Sequence, residues 1–241
     1  MKKSSLWVLP AAIALALTGC AGSDTETGGT AESTGTSESA GASGKALDAA
    51  QVKAVIDKVM EGQDGAQVLD NDTLQQQQDS LDLSALTEGI SPKECADLQK
   101  ENSFTDLSKA YAAAGVVAES AGSTTVQLLS LKDDATSQTI ESLLEFDDFG
   151  KCSTMQVESG GQQLDIESMV LDVDTQAPHE LAISTTTLTG GKAVQDSVNV
   201  QALDGSTYVL VNVIGQPGAE GLQEQATQLA EKTLAEARNA Q

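Results

Sequence analysis

Aromatic residues are scarce in this 241-residue sequence. They make up 2% of it, and the one tryptophan, Trp7, lies in the N-terminal apolar run. Proteins that bind carbohydrate by ring stacking, or that hold a ligand in a tryptophan-lined slot, need large rings in their folded part. The scarcity therefore argues against both kinds of site.

Positive charge is also scarce. The sequence has 13 lysines and arginines against 36 aspartates and glutamates, which gives a formal net charge of -23. An anionic surface repels the phosphates of nucleic acids and acidic lipid headgroups. The composition thus excludes nucleic acid as a partner, and solubility in an exposed compartment is the simplest explanation of the charge.

The N-terminal region contains an apolar segment that is too short to cross a bilayer. It runs from Leu6 to Leu17 after two lysines, whereas a membrane span needs about 20 residues. The sequence Leu17-Thr18-Gly19-Cys20 that closes it resembles a bacterial lipobox, whose cysteine is acylated and becomes the first residue after cleavage. We expect a signal peptide over residues 1–19 and a lipoprotein anchored through Cys20 to the extracytoplasmic face of the cell membrane. An ordinary secretory leader with an incidental cysteine is the alternative.

The stretch after Cys20 has the composition of a linker. Residues 21–44 are almost all glycine, serine, threonine, alanine and acidic residues, without a large apolar side chain, so they cannot form a core. We expect residues 20–44 to be a lipidated, flexible tether and residues 45–241 to be a single extracytoplasmic domain of ordinary size.

The three cysteines fit this organisation. If Cys20 is acylated, Cys95 and Cys152 remain, and an even pair in an oxidising compartment usually forms a disulfide. Free buried thiols are the alternative.

The first half of the domain shows helical spacing in several places. Apolar residues recur at three and four between Leu47 and Met60, and Gly62 and Gly65 follow. A short strand is expected at 66–69, a polar excursion at 70–78, a helix after Ser91-Pro92, and helical spacing again from Phe104 through Tyr111. Residues 124–131 read as a strand, and Asp133 or Asp134 as the cap of a further helix.

The second half alternates in the manner of a β-sheet. Strands are expected around 155–157, 164–173, 181–183, 198–200 and 208–214, the last central because it is apolar on both faces. The change of parity near Ser168 indicates a β-bulge or a strand covered on both faces. A final helix carries an apolar stripe from Leu222 to Ala237. The pattern predicts an α+β fold: a mostly antiparallel sheet of about five to six strands with N-terminal, middle and C-terminal helices packed on it and one disulfide.

The order of elements and the cysteine positions resemble a known family. The shared features are Ser91-Pro92 ahead of Cys95, Tyr111, the strand at 124–131, a helix from Ala135 that leads to Lys151-Cys152, a meander and a closing helix. They are similar to those of the PknH-like extracellular sensor domain. That domain occurs on actinobacterial serine/threonine kinases and in envelope lipoproteins. The resemblance implies an α+β binding or sensing module, and the later strands lack the second cysteine pair of the family.

Candidate catalytic groups are few. His179 is the only histidine, and we expect it to be a solvated loop residue because Pro178 precedes it. A zinc site is not expected either, since one imidazole cannot form one without several carboxylates. The acidic pairs Asp133-Asp134 and Asp147-Asp148 are expected to cap helices rather than to act as glycosidase carboxylates. We therefore expect no catalytic residue, no metal and no cofactor.

The sequence thus predicts a membrane-anchored, non-catalytic protein that binds a small molecule or an envelope component in a concavity between sheet and helices. An envelope lipid carrier or chaperone is the alternative, and it would need a large cavity lined by aliphatic side chains.

Overall fold

The computed structural model describes most of the domain. The described residues are 46–80, 87–101, 106–120, 122–145, 147–159 and 161–241. The predicted signal peptide (1–19), Cys20 and the tether to residue 44 lie outside them.

Five α-helices lie within the described ranges. They are α1 (Ala49–Val59), α2 (Asn71–Ser80), α3 (Lys93–Glu101), α4 (Asp134–Leu144) and α5 (Leu222–Ala240), and two 3-10 turns cover Leu107–Lys109 and Asp147–Cys152. None of the helices in this part of the chain is long and apolar enough to cross a membrane.

The strands form one antiparallel sheet. Its members, in chain order, are β1 (Gln67–Leu69), β2 (Ile90–Ser91), β3 (Ala110–Glu119), β4 (Gly122–Leu131), β5 (Thr154–Ser159), β6 (Gln162–Leu171), β7 (His179–Thr189), β8 (Lys192–Asp204) and β9 (Thr207–Gly215). In space the order is β1-β3-β4-β9-β8-β7-β6-β5-β2. The α+β class and the interior position of β9 are confirmed, but the described residues form nine strands, so the predicted five to six was too few.

One face of the sheet is covered by α1 and α5. Alternate residues of the central strands, such as Val126, Val200 and Val211, point to this face and are fully buried with Ile56 of α1 and Leu234 of α5. Asp48 caps α1 by accepting a hydrogen bond from the Gln51 backbone N–H, and this fixes where the first helix begins. The first and last helices of the domain therefore share one layer.

We call the opposite side of the sheet the mixed face, because its character changes along the strands. At one end Leu129, Leu203 and Tyr208 form an apolar cluster with Leu74 of α2 and with Ile140 and Leu144 of α4. Further along the same strands polar side chains take the corresponding positions, except at Leu210 of β9, which still packs against the cluster. Helices α2 and α4 cover the apolar end.

Strand β3 replaces the helix that the spacing of Leu107 and Tyr111 predicted; Phe104 lies outside the described residues. Alanine favours helices intrinsically, but here an alanine-rich strand lies between β1 and β4, where small side chains let helices approach both faces. Gly115 shows how close the approach is, because a Cβ atom there would lie 2.4 Å from Cγ of Met60. Tertiary packing overrides the local preference at this strand.

Residues 71–80 form α2 rather than a polar excursion. Asp70 accepts a hydrogen bond from the Thr73 backbone N–H, and hydrogen bonds with Thr73 lower the pKa of Asp70. Asn71 accepts a hydrogen bond from the Ala112 backbone N–H at 3.1 Å. Capping hydrogen bonds and one buried residue, Leu74, stabilise this helix. It has no apolar stripe from which the sequence could have predicted it.

The change of parity near Ser168 is not a β-bulge. Strand β6 pairs with β7 in unbroken register from Asp165 to Leu171, and the irregularity lies between Thr187 and Leu188 in the β7–β8 pair. The first half of β6 buries Leu164 and Ile166 on the mixed face, whereas Leu171 packs toward the other face. The strand changes the face that it buries without an inserted residue.

Candidate functional site

The predicted cysteine pair forms a disulfide. Cys95 on α3 and Cys152 at the end of the second 3-10 turn are linked, with a Cα–Cα distance of 5.6 Å. Cys95 is buried, and Cys152 leads directly into β5. The bond fastens α3 to the sheet edge formed by β2 and β5. The prediction that Cys20 is acylated concerns a residue outside the described part of the chain.

The polar part of the mixed face lies on three neighbouring strands in the interior of the sheet. We call Thr125, Gln127, Asn199, Gln201 and Asn212 the polar patch. Thr125 on β4 is opposite Asn212 on β9, which in turn is opposite Asn199 on β8. Asn212 is buried, and the other four are half-buried and so accessible to solvent. Residues two apart on a strand share a face, so the patch follows from the alternation of the sequence.

Hydrogen bonds set the orientation of two patch amides. The hydroxyl of Tyr208, at the border of the apolar cluster, donates to Oε1 of Gln201, and Nε2 of Gln201 donates to Oδ1 of Asn199 at 2.8 Å. Burial raises the pKa of the Tyr208 phenol, so that it stays neutral and remains a donor. The relay therefore fixes which end of the Gln201 side chain carries the oxygen.

Asn212 has an unsatisfied acceptor. The residue is only 5% exposed, and its Oδ1 is buried without any hydrogen-bond partner among the described residues. A buried acceptor without a partner costs about 1–3 kcal/mol, so native proteins contain few of them. Sites that bind polar ligands are one place where such a cost is retained.

The chemistry of the patch is that of neutral hydrogen bonding. Its amides and hydroxyl supply donors and acceptors without a charge and without a group that titrates near neutral pH. Such groups suit a neutral ligand rich in hydroxyl or amide groups, and they offer no general acid or base.

A second concavity lies between α5 and the segment after β6. It has a volume of about 480 Å³ and opens widely to solvent. Asp172, Asp174 and Glu224 line it together with Val173, Gly221 and uncharged polar residues. Gln223 donates to the Asp172 carbonyl at 2.9 Å. An open acidic groove does not resemble the dry aliphatic cavity that an acyl chain requires.

His179 is not the solvated loop residue that was expected. It begins β7, its side chain is 27% exposed, and it lies between Glu141 of α4 and Glu145, which caps that helix. Pro178 beside it suggested a loop, but the strand begins immediately after that proline. The sequence separation between α4 and β7 hides this proximity.

The acidic pair at 133–134 has the expected capping role. Asp133 accepts hydrogen bonds from the backbone N–H and the hydroxyl of Thr136 at 2.8 Å, and these bonds lower the pKa of Asp133. Asp134 lies in the first turn of α4, where a negative charge is favourable. Asp147 and Asp148 begin the second 3-10 turn.

Comparison with solved structures identifies folds like this one. The crystal structure of the extracellular domain of PknH from Mycobacterium tuberculosis matches with a TM-score of 0.50 and 11% sequence identity, over 81% of this chain and 98% of that one. An uncharacterised protein from Mycobacterium smegmatis, an ortholog of Rv0999, matches with a TM-score of 0.45 and 15% identity, over 79% of this chain and 98% of the other.

The comparison confirms the resemblance to the PknH-like extracellular domain at the level of the fold. No protein-family model matches the sequence. No curated protein matches it either.

Proposed function

We propose that this chain is a lipid-anchored extracytoplasmic protein that binds a ligand and does not act as an enzyme. The ligand is neutral and polar, either a small molecule or an envelope component, and it binds at the polar patch. The unpartnered Oδ1 of Asn212, buried in the interior of the sheet, carries the binding part of the proposal. The oxygen itself is buried, so a ligand N–H or O–H would supply the missing hydrogen bond when the Asn212 amide turns toward the four accessible residues of the patch.

Three features support the location. The lipobox-like sequence ends at Cys20, the two other cysteines form a disulfide, and disulfides persist mainly in oxidising compartments. The fold is also similar to one solved as an extracellular domain. Each feature is independent of the polar patch.

The chemistry of the patch supports a non-catalytic role. The patch contains no titratable side chain, and its amides are positioned for binding rather than proton transfer. The groove beside α5 bears on the carrier alternative instead, because it is open and lined in part by three carboxylates, unlike an enclosed aliphatic cavity.

The anchor is tested on the protein expressed in its native host. Mass spectrometry of the mature N-terminus is expected to find Cys20 as the first residue with acyl chains attached, and globomycin is expected to block maturation. Cys20→Ala is the control, which should remain an unprocessed precursor. Normal maturation in globomycin would refute the anchor.

Ligand binding is tested by native mass spectrometry of the protein captured from its envelope in mild detergent. We expect the parent chain to retain a neutral polar molecule and Asn212→Leu to lose it. Asn239→Leu, at an exposed position on α5, is the matched control and should retain it. Equal occupancy in the two variants would contradict binding at the patch, and recovery of an acyl lipid would favour the carrier alternative.

A further inference from the structure

The only histidine of the chain lies against a pair of glutamates. Glu141 lies in the last turns of α4 and Glu145 caps its C-terminal end four residues later, so their carboxylates extend from the same side of the helix. His179 is the first residue of β7 and is opposite Leu203 of β8, next to the apolar end of the mixed face. Two elements far apart in sequence thus bring three ligand-type side chains together.

Each His179–glutamate distance is longer than a hydrogen bond, and each one taken singly equals the separation of two ligand atoms on one metal ion. Nε2 of His179 is 3.4 Å from Oε1 of Glu141, and Nδ1 is 3.4 Å from Oε1 of Glu145. Typical hydrogen bonds between nitrogen and oxygen are about 2.7–3.2 Å long. Two ligand atoms bound about 2.1 Å from one tetrahedral metal ion are separated by about 3.4 Å.

One ion can reach all three residues. Ligand atoms of Glu141, Glu145 and His179 lie within 4.8 Å of one another. Only one ring nitrogen can bind the ion, so one carboxylate must turn toward it. The side chain of Glu145 is 64% exposed, more than that of Glu141 at 41%, which leaves it free to do so.

We propose that Glu141, Glu145 and His179 bind a divalent transition-metal ion of the zinc type. An imidazole nitrogen favours Zn²⁺ and its neighbours over Ca²⁺ and Mg²⁺, which prefer oxygen ligands. Three protein ligands leave a fourth position for water. The bound ion joins α4 to the beginning of β7 and so holds the helix on the sheet.

The test uses the full chain in detergent, without a polyhistidine tag. Cys20→Ser serves as the background, because it removes the one cysteine outside the disulfide, whose thiol could itself bind zinc. Calorimetric titration with ZnCl₂ is expected to show one ion bound per chain. The chain has one histidine, so a nitrogen-15 spectrum of its imidazole reports this site alone, and Zn²⁺ should shift one ring nitrogen far more than the other.

Substitutions separate the site from the acidic surface in general. Glu141→Gln, Glu145→Gln and His179→Asn should each weaken binding by about tenfold or more, which is a loss of about 1.4 kcal/mol. Glu61→Gln removes the same charge from an exposed position at the end of α1 and should leave binding unchanged. Circular dichroism verifies that each variant is folded.

Three results would overturn the proposal. Equal zinc affinity in His179→Asn and the background would assign the ion to scattered surface carboxylates. An imidazole spectrum unchanged by Zn²⁺ would reduce the three residues to an ion-pair cluster. Calcium binding as tight as zinc binding would remove the role of the histidine. None of these results depends on whether the polar patch binds a ligand.

Discussion

Removal of the disulfide is expected to cost the domain a large share of its stability. In Cys95→Ala/Cys152→Ala the unfolded chain is released from a loop that joins residues 57 positions apart. The chain-entropy relation gives about 4 kcal/mol for a loop of this length. Because native domains are stable by only about 5–15 kcal/mol, this loss is large in relation to the total.

Two features of the structure bear on the size of the effect. The loop contains β3, β4 and α4, so the constraint acts on strands in the interior of the sheet and not on a surface hairpin. Cys95 is 3% exposed, so alanine there also leaves a small void. For a domain of this size, about 4 kcal/mol corresponds to a decrease in melting temperature of about 8–16 °C.

The assay is urea denaturation of the soluble chain without residues 1–20, followed by far-ultraviolet circular dichroism, since the only tryptophan lies in the removed part. The denaturation midpoint should fall, with a slope that is unchanged or slightly larger. A reductant should shift the midpoint of the parent chain but not that of the double variant. A loss below about 1 kcal/mol, or a parent chain that does not respond to reductant, would refute the reasoning.

Three further changes test single contacts. Asn212→Leu should raise the free energy of unfolding of the ligand-free protein by about 1 kcal/mol in urea denaturation, because it removes an unsatisfied acceptor; a loss of stability would contradict this. Gly115→Ala should destabilise by about 1–3 kcal/mol through its contact with Met60, and the double variant with Met60→Ala should recover part of the loss; additive effects would exclude that contact. Hydrogen bonds from Thr136 lower the pKa of Asp133, so their stabilisation is present above the ordinary aspartate pKa and is lost as the pH falls through the lowered value. Melting temperatures measured across this range should depend less on pH in Asp133→Asn than in the parent, and identical profiles would contradict the assignment.

The elements that the sequence predicts well are those with a strong internal pattern. The first and last helices have apolar residues at three and four, and β9 is apolar on both faces; all three were expected and are present. The disulfide was also expected from the sequence, because the predicted acylation of Cys20 and an expected oxidising compartment left Cys95 and Cys152 as partners, and the bond is present.

The elements that were missed depend on distant neighbours. The alanines of β3 favour a helix locally, and only the approach of α1 and α2 to the sheet explains why small residues are needed in that strand. Helix α2 has one buried apolar residue, Leu74, so its sequence has no helical periodicity of apolar residues that would predict it.

The two candidate sites could not be predicted from the sequence, because each one also depends on residues that are distant in sequence. The polar patch combines residues of β4, β8 and β9, and its members are recognised only when the register of the sheet is known. His179 meets Glu141 and Glu145 across 34 and more positions of sequence, and no local motif connects them.

The layer that α1 and α5 share determines on which side of the sheet the chain enters the domain. Lys58 pairs with Glu236, and Gln51 donates to the Ala240 carbonyl, so the first and last helices lie side by side. Leu47 is buried in the same layer, and the chain therefore enters the domain there. An anchor of the kind proposed above would therefore hold the domain from the α1–α5 side and leave the polar patch exposed on the opposite face of the sheet.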